Sequence, residues 1–351
     1  MLTVYAPETL SALCKIAKVV SVQWTRKFYD SGGFEIHIPP RTPYVENLKS
    51  GNIICYKQNA GVIRYIHQNK NDIIICGNDL KSLLGQRIIV PPFVYNKENP
   101  TVIEGYDRTE GTVEEIMRYY VNNHTIDPFD TKRKIPNMTL ANLKNIGKNA
   151  KWQSRFENLL SELTTIGQYD EIGFDVIFNR DIRQLEFTCF KGRDLSKSVI
   201  FSREYKNIDD CQYTLDDSTS VNTTYVGGDG EEESQYIEKV SESEFQGFER
   251  REDFISASGS EFEEIKDRGL SHLKEKKVSE IVEANANTKL KYKEDWDLGD
   301  YVTVKTEVLG ETVIIEKQIT EVKEVYEYSN IYASPVFGNK KESVIKKLMK
   351  G

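Results

Sequence analysis

Between Trp24 and Pro39 the chain reads WTRKFYDSGGFEIHIP. Trp24, Arg26 and Phe28 alternate with Thr25 and Lys27, and Phe34, Ile36 and Ile38 alternate with Glu35 and His37, the period of two half-buried strands. The DSGG between them tolerates positive φ and predicts a hairpin. Three further runs follow closely, GNIICYKQ (51–58), AGVIRYIHQ (60–68) and DIIICGNDL (72–80), with turn signals at Asn59–Gly61 and Asn69–Asp72. Together they predict a small antiparallel barrel or sandwich. Residues 80–89 (LKSLLGQRII) predict a helical turn leading into a return strand.

Pro91, Pro92 and Pro100 mark a change of period. In 111–124, Val113, Ile116, Met117, Tyr120 and Val121 fall at helical spacing, with Thr112 and Glu115 placed to form a capping box. A second stripe, Phe156, Leu159, Leu160, Leu163 and Ile166, predicts a helix over 154–168, and strands follow at 172–179 and 183–192, making an α/β or α+β unit. Strand patterns resume at 199–207, 210–217 and 223–232, and the acidic DGEEESQ run predicts a loop tip. Residues 261–286 carry Phe262, Ile265, Leu270, Leu273, Val278, Ile281 and Val282 in a broadly helical pattern weakened by Gly269. A hairpin and one more strand follow over 298–328, with turns at Gly299 and Gly310. The predicted class is α+β, mainly β, divided into a first β unit (1–95), an α/β insertion (96–198) and a second β unit (199–351) with a helical insertion at about 235–290.

With 351 residues the chain buries sizeable cores, and 11% aromatic residues exclude a disordered chain. Lys and Arg number 47 against 55 Asp and Glu, a net charge of -8 that supplies no positive field for a phosphate backbone. Sequence-specific nucleic acid and membrane are therefore not expected partners. Residues 1–20 lack the basic and apolar regions of an export signal, and no run approaches the roughly 20 apolar residues of a membrane span. Cys14, Cys55, Cys76, Cys189 and Cys211 are scattered without a C-x-x-C pair, which predicts individually buried, reduced thiols and folding in a cytoplasm.

Candidate chemistry is sparse. His37, His67, His124 and His272 lack metal-ligand spacing and read as solvated or incidental. No G-x-S-x-G occurs, and Cys76 reads as an inward strand residue. GGDGEEE (227–233) has acids where a phosphate loop needs Lys, and reads as a hairpin tip. Asp127 and Asp130 lack the dense acids of a calcium loop. No catalytic, metal or cofactor-binding residue is expected, and no cofactor. What stands out is a set of Gly/Asp/Arg junctions at 77–87, 190–196, 247–254 and 298–304. The plain reading of each is turn chemistry with surface charge. The functional reading is that Arg87, Arg193, Arg250 and Arg251 pin neighbouring elements or subunits by bidentate pairing with carboxylates.

Those junctions, in order with GVIRYIHQ…IIICGNDLKSLLGQRII, GTVEEIMRYYV, ENLLSELTTIGQYDEIGFDV, FKGRDLS…VIFSREYKNI and ITEVKEVYE…PVFG, resemble tail-hub (baseplate hub) structural proteins of tailed phages and prophages. The likeness, over nearly the whole chain, is to the N-terminal region of tail-associated lysins of Gram-positive phages. It implies two small β-barrel-like domains in pseudo-repeat with α/β and helical insertions. It also implies a homotrimer whose pseudo-sixfold ring joins a sixfold tail tube to a threefold tip and lets DNA pass. The implied partners are a tail tube or distal tail protein and a tip fibre, spike or tape-measure end; the implied location is the virion tail. The acidic balance suits such a ring, because like charge limits sticking of DNA. The resemblance points to Trp24, Arg26, Arg64, Arg87, Arg193, Asp194, Arg250, Arg251, Gly299 and Asp300 as structural or interface residues. The chain ends at Gly351, so a cell-wall-cutting region downstream in longer relatives is not expected within it. Two other classes stay open: a tail-associated cell-wall hydrolase, and a glycan-binding module using Tyr119, Tyr120 and Trp152, which their helical text reads as core.

Overall fold

The computed structural model describes residues 1–94, 101–102, 105–230, 234–257, 262–287, 289–327 and 330–338. With 46% strand and 17% helix it is α+β, mainly β. The alternation at the N-terminus becomes the strands Ser21–Lys27 and Gly33–Ile38, paired antiparallel from Ser21↔His37 to Trp24↔Phe34. The turn between them works differently from the expectation. None of residues 30–33 has positive φ. Gly32 is required instead by close approach, since a Cβ there would lie 1.8 Å from the carbonyl oxygen of Thr25. The turn is tied down by Asp79, whose carboxylate accepts from Ser31 Oγ at 2.8 Å and Gly32 N at 2.9 Å.

The strand order shows how the expected strand runs are joined. Among the described residues thirteen strands form one sheet, and no closed barrel is found. Its path runs Ile208–Asp216, Ser279–Ala286, Asn330–Phe337, Glu311–Glu327, Ser21–Lys27, Gly33–Ile38, Ile73–Asp79, Asn59–Gln68, Ile53–Tyr56, Leu2–Tyr5 and Ala12–Ile16. Tyr301–Val308 pairs with the first half of Glu311–Glu327 and carries Ile200–Ser202 beside it. The edge that would close the N-terminal strand set is used up by the other set. Glu321↔Lys27 to Tyr326↔Val22 make that ladder.

Between these strand sets sits the middle of the chain. Helix α1 (Val113–Val121) starts at the expected capping box, with Glu115 N donating to Thr112 Oγ1 and Thr112 N donating to Glu115. Helix α2 (Leu159–Asp170) is capped by Asn158 rather than beginning at 154. Residues 149–154 instead pair as a strand with Asp107–Thr112. Gly173–Asn179 and Gln184–Phe190 form the expected hairpin. Tyr120 on α1 and Trp152, which lies on the strand Asn149–Ser154 rather than in a helix, are buried in a core that runs on into Ile53, Val62 and Leu84, and Tyr119 is half-buried. Helix α3 (Phe262–Glu275) covers a small sheet of Thr223–Gly227, Ile237–Ser241 and Glu252–Ser256 through Val226, Val240, Ile265 and Leu273. The tip expected at 227–233 joins two strands of this sheet, with residues 231–233 outside the described residues.

Several local expectations change. Residues 279–286 are a strand, not helix, because they pair on both sides, with Ile208–Asp216 and Asn330–Phe337. The turn expected at Asn59–Gly61 lies at Lys57, with φ of 54°, and Asn59 already belongs to the next strand. After a 3₁₀ turn at Leu80–Gln86 only a single bridge, Ile88↔Asn158, replaces the return strand. Cys76 faces outward, half-buried beside Glu35, and of the five free cysteines only Cys55 and Cys189 are buried.

One side chain touches all three parts of the chain. Phe28 is fully buried, packs edge-on against Tyr29 and Phe190, and lies over Gly173 and Gly299. At Gly299 φ is 96° and a Cβ would sit 2.3 Å from the Phe28 ring. Phe28→Ala is expected to cost about 3–5 kcal/mol. Gly299→Ala is expected to cost about 1–3 kcal/mol for its left-handed backbone. Both are read as a lower urea midpoint at unchanged slope.

Candidate functional site: the seam between the strand sets

The seam is built where Ser21–Lys27 meets the long strand Glu311–Glu327. Along that ladder Trp24 faces Glu324 and Val22 faces Tyr326, so Val22, Trp24 and Arg26 share a face with Val322, Glu324 and Tyr326. Trp24 is core, stacked on Phe34 at 4.7 Å between centroids. Glu324 is a carboxylate with no exposed surface. It accepts hydrogen bonds from Tyr292 Oη at 2.7 Å, Asn59 Nδ2 at 2.5 Å and Tyr326 Oη, and pairs with Lys293 Nζ at 3.1 Å. Arg26 stands 4.0 Å from it and reaches Asp297 at 2.9 Å and Tyr292 Oη at 2.6 Å.

Burial opposes the charge on Glu324, but Lys293, the Tyr326 and Tyr292 hydroxyls and Arg26 outweigh it and hold the carboxyl below its ordinary value. Four chain segments thus converge on one buried anion. Losing one partner of such a cluster is strongly destabilising because the others are left charged and dry.

A second junction lies close by. Arg193 and Asp300 pair, with Nη2 to Oδ2 at 2.6 Å and Nε within 3.2 Å of both carboxylate oxygens. Asp300 also accepts from the backbone N–H of Arg193 at 2.8 Å and of Asp297 at 2.9 Å. Arg26, Arg193, Lys293, Asp297 and Asp300 all line one open cleft of about 450 Å³. These cations and acids are committed to one another. Such an arrangement fixes geometry; among the described residues no cluster of His, Cys, Asp or Glu is arranged to hold a metal.

The other expected residues scatter. Arg87 donates to the carbonyl oxygens of Arg133 and Gln86, not to a carboxylate. Asp194 closes a local turn, accepting from Ser196 N and Oγ. Arg250 pairs with Glu252 and Tyr225, and Arg251 with Asp217 at 2.6 Å, all in or beside the small sheet under α3. Arg64 is exposed and makes no ion pair or hydrogen bond with the described residues. Histidines expected to be incidental are mostly paired: His37 with Asp72 and Glu35, His124 with Asp107, His272 with Asp253. Sequence reasoning missed Asn59, Tyr292, Lys293 and Glu324. The one available signal was Glu324 itself, an acid on the inward register of the strand text ITEVKEVYE.

Comparison with known proteins places this architecture. The fold is that of prophage tail proteins. Prophage tail protein gp18 from Listeria monocytogenes matches with a TM-score of 0.56 and 13% identity, covering 100% of this chain and 99% of its own. The 43 kDa tail protein of prophage MuSo2 from Shewanella oneidensis matches at 0.58 and 13%, covering 96% and 97%. A tail protein from Neisseria meningitidis matches at 0.53 and 13%, covering 97% and 96%. The chain itself belongs to the Siphovirus ReqiPepy6 Gp37-like protein family, which it matches over residues 2–339. No curated protein matches in sequence. The likeness to tailed-phage tail proteins read from the sequence is thus borne out.

Three substitutions and one pH dependence test the seam. Asp300→Ala is expected to cost about 1–3 kcal/mol, because it leaves two part-buried N–H groups without their acceptor. Arg193→Ala, whose side chain is 54% exposed, should cost no more than about 1 kcal/mol. Glu324→Gln is expected to cost about 3–5 kcal/mol at pH 7. Glu324 is depressed in the folded chain, so its stabilisation is full above its unfolded value of 4.5 and is lost as pH falls through the lower folded value. Urea unfolding at pH 7 and at pH 3 should therefore show the gap between wild type and Glu324→Gln narrowing in acid.

Proposed function

We propose that this protein is a non-enzymatic structural hub of a phage or prophage tail tip or baseplate. Three copies form a ring that joins a sixfold tail tube to a threefold tip and lets DNA pass. Its neighbours are a tail tube or distal tail protein on one side and a tip fibre, spike or tape-measure end on the other. The observation that carries the reading is the end-to-end agreement with prophage tail proteins, 100% of this chain against 99% of the Listeria protein, together with family membership over residues 2–339. The net charge of -8 supports a channel that DNA does not stick to. The paired seam supports a rigid wall element, because it fixes strand sets from both ends of the sequence in one sheet. Trp24, Arg26, Arg193, Gly299 and Asp300 then act within one subunit, as wall fastenings. Arg64, exposed and unengaged by the described residues, and Arg250 and Arg251 on the small sheet are the candidates for contacts between subunits.

Light scattering across a concentration series tests the ring. A species of three times the 40.4 kDa of one chain is expected. A single chain at every concentration would overturn self-assembly by this protein alone. Clearing on a peptidoglycan zymogram would overturn the non-enzymatic reading.

A further inference from the structure

The one large sheet has two ends. Ala12–Ile16 pairs with Leu2–Tyr5 alone and Ile208–Asp216 with Ser279–Ala286 alone, so among the described residues each carries an open edge. An open edge is a template for contact with another chain, and bulges and charged side chains are what keep that contact from becoming indiscriminate pairing. Both devices are present at both ends, and the charge has opposite sign at each.

At the first end the register slips between Val4 and Tyr5, which leaves Leu13 out of the ladder and 46% exposed. Lys15 and Lys18 follow it, exposed and without an ion pair or hydrogen bond to the described residues. Arg183 reaches the same edge, with Nη1 3.5 Å from Ser11 Oγ. At the other end the register slips between Ile208 and Cys211, which leaves Asp209 and Asp210 out of the ladder and exposed. Leu215 is 58% exposed there and is followed by Asp216 and Asp217. Arg203 pairs with Asp210 and Arg251 with Asp217, so four acids against two arginines leave this end acidic.

The contrast extends to the two β units. Residues 1–95 carry 11 Lys and Arg against 6 Asp and Glu, whereas residues 199–351 carry 21 against 33. The signs decide how two copies meet. Like ends brought face to face repel, and unlike ends attract and fix each other's register. Contact between unlike ends runs head to tail, the arrangement that closes into a ring when the rotation allows. We propose that the cationic end of one copy docks on the acidic end of the next, with Lys15 and Lys18 against Asp209 and Asp210 and Leu13 against Leu215. The contact is made by side chains, because the two bulges interrupt a continuous ladder across the joint. This inference rests on the ring reading above and adds to it the surfaces that meet, their order and a dependence on salt.

Charge reversal on the full chain, read by light scattering across a concentration series, tests it. Lys15→Glu with Lys18→Glu should weaken association of the wild-type assembly at least about tenfold, and so should Asp209→Lys with Asp210→Lys. All four positions are exposed. A chain carrying all four substitutions, with the charges exchanged, should recover the assembly, which a merely misfolded variant cannot do. Raising salt from about 0.1 M to 1 M should weaken the wild type and the exchanged chain alike. A three-chain species that persists unchanged in both reversed variants, or that ignores salt, would overturn this interface and leave the ring standing. Failure of the exchanged chain to recover would overturn the pairing of these two ends. A wild type that stays a single chain at every concentration would overturn the ring and the interface together.

Discussion

A carboxylate with no exposure to water must be surrounded by donors, and Glu324 meets that demand by drawing on the whole chain. Asn59 comes from the first strand set, Arg26 from the hairpin beside it, Tyr292 and Lys293 from the segment before the last hairpin, and Tyr326 from its own strand. Because the anion tolerates no missing partner, the position of each segment is fixed relative to the others. The Asp300 junction repeats the principle a short distance away, with backbone N–H groups in place of tyrosines. Beside the second junction, the Phe28 ring lies over Gly299 and Gly173. The apolar core sets which faces meet, and the buried acids set their register.

This explains which parts of the structure were readable in advance. The Thr112 and Glu115 capping box, the Trp24 alternation and the strand at 173–179 are decided by neighbours within a few residues, and the structure carries them as read. The strand at 279–286 was not readable, because its state is decided by two partners distant in sequence that override a helix-like spacing. The joining of Ser21–Lys27 to Glu311–Glu327 was unreadable for the same reason, because the identity of the strand that takes a free edge is not visible in a sequence.

The seam was half legible. Arg193, Gly299 and Asp300 lie in the junctions marked in the sequence, Arg26 was pointed to only by the resemblance, and Arg193 and Asp300 make a bidentate contact. The acid at the centre was hidden, since Asn59 lies 265 residues from Glu324 along the chain. His124 was hidden in the opposite way. Its partner Asp107 is only 17 residues off, but the two meet through a π turn that no local pattern announces.

The strand Glu311–Glu327 is held over its first half by Tyr301–Val308 and over its second by Ser21–Lys27 and Asn330–Phe337. A pull that separates the two strand sets along this direction loads the six residue pairs from Glu321↔Lys27 to Tyr326↔Val22 in shear, all at once. A pull across it would open them one after another like a zipper. The sheet is therefore stiffest along the strand and weakest across it.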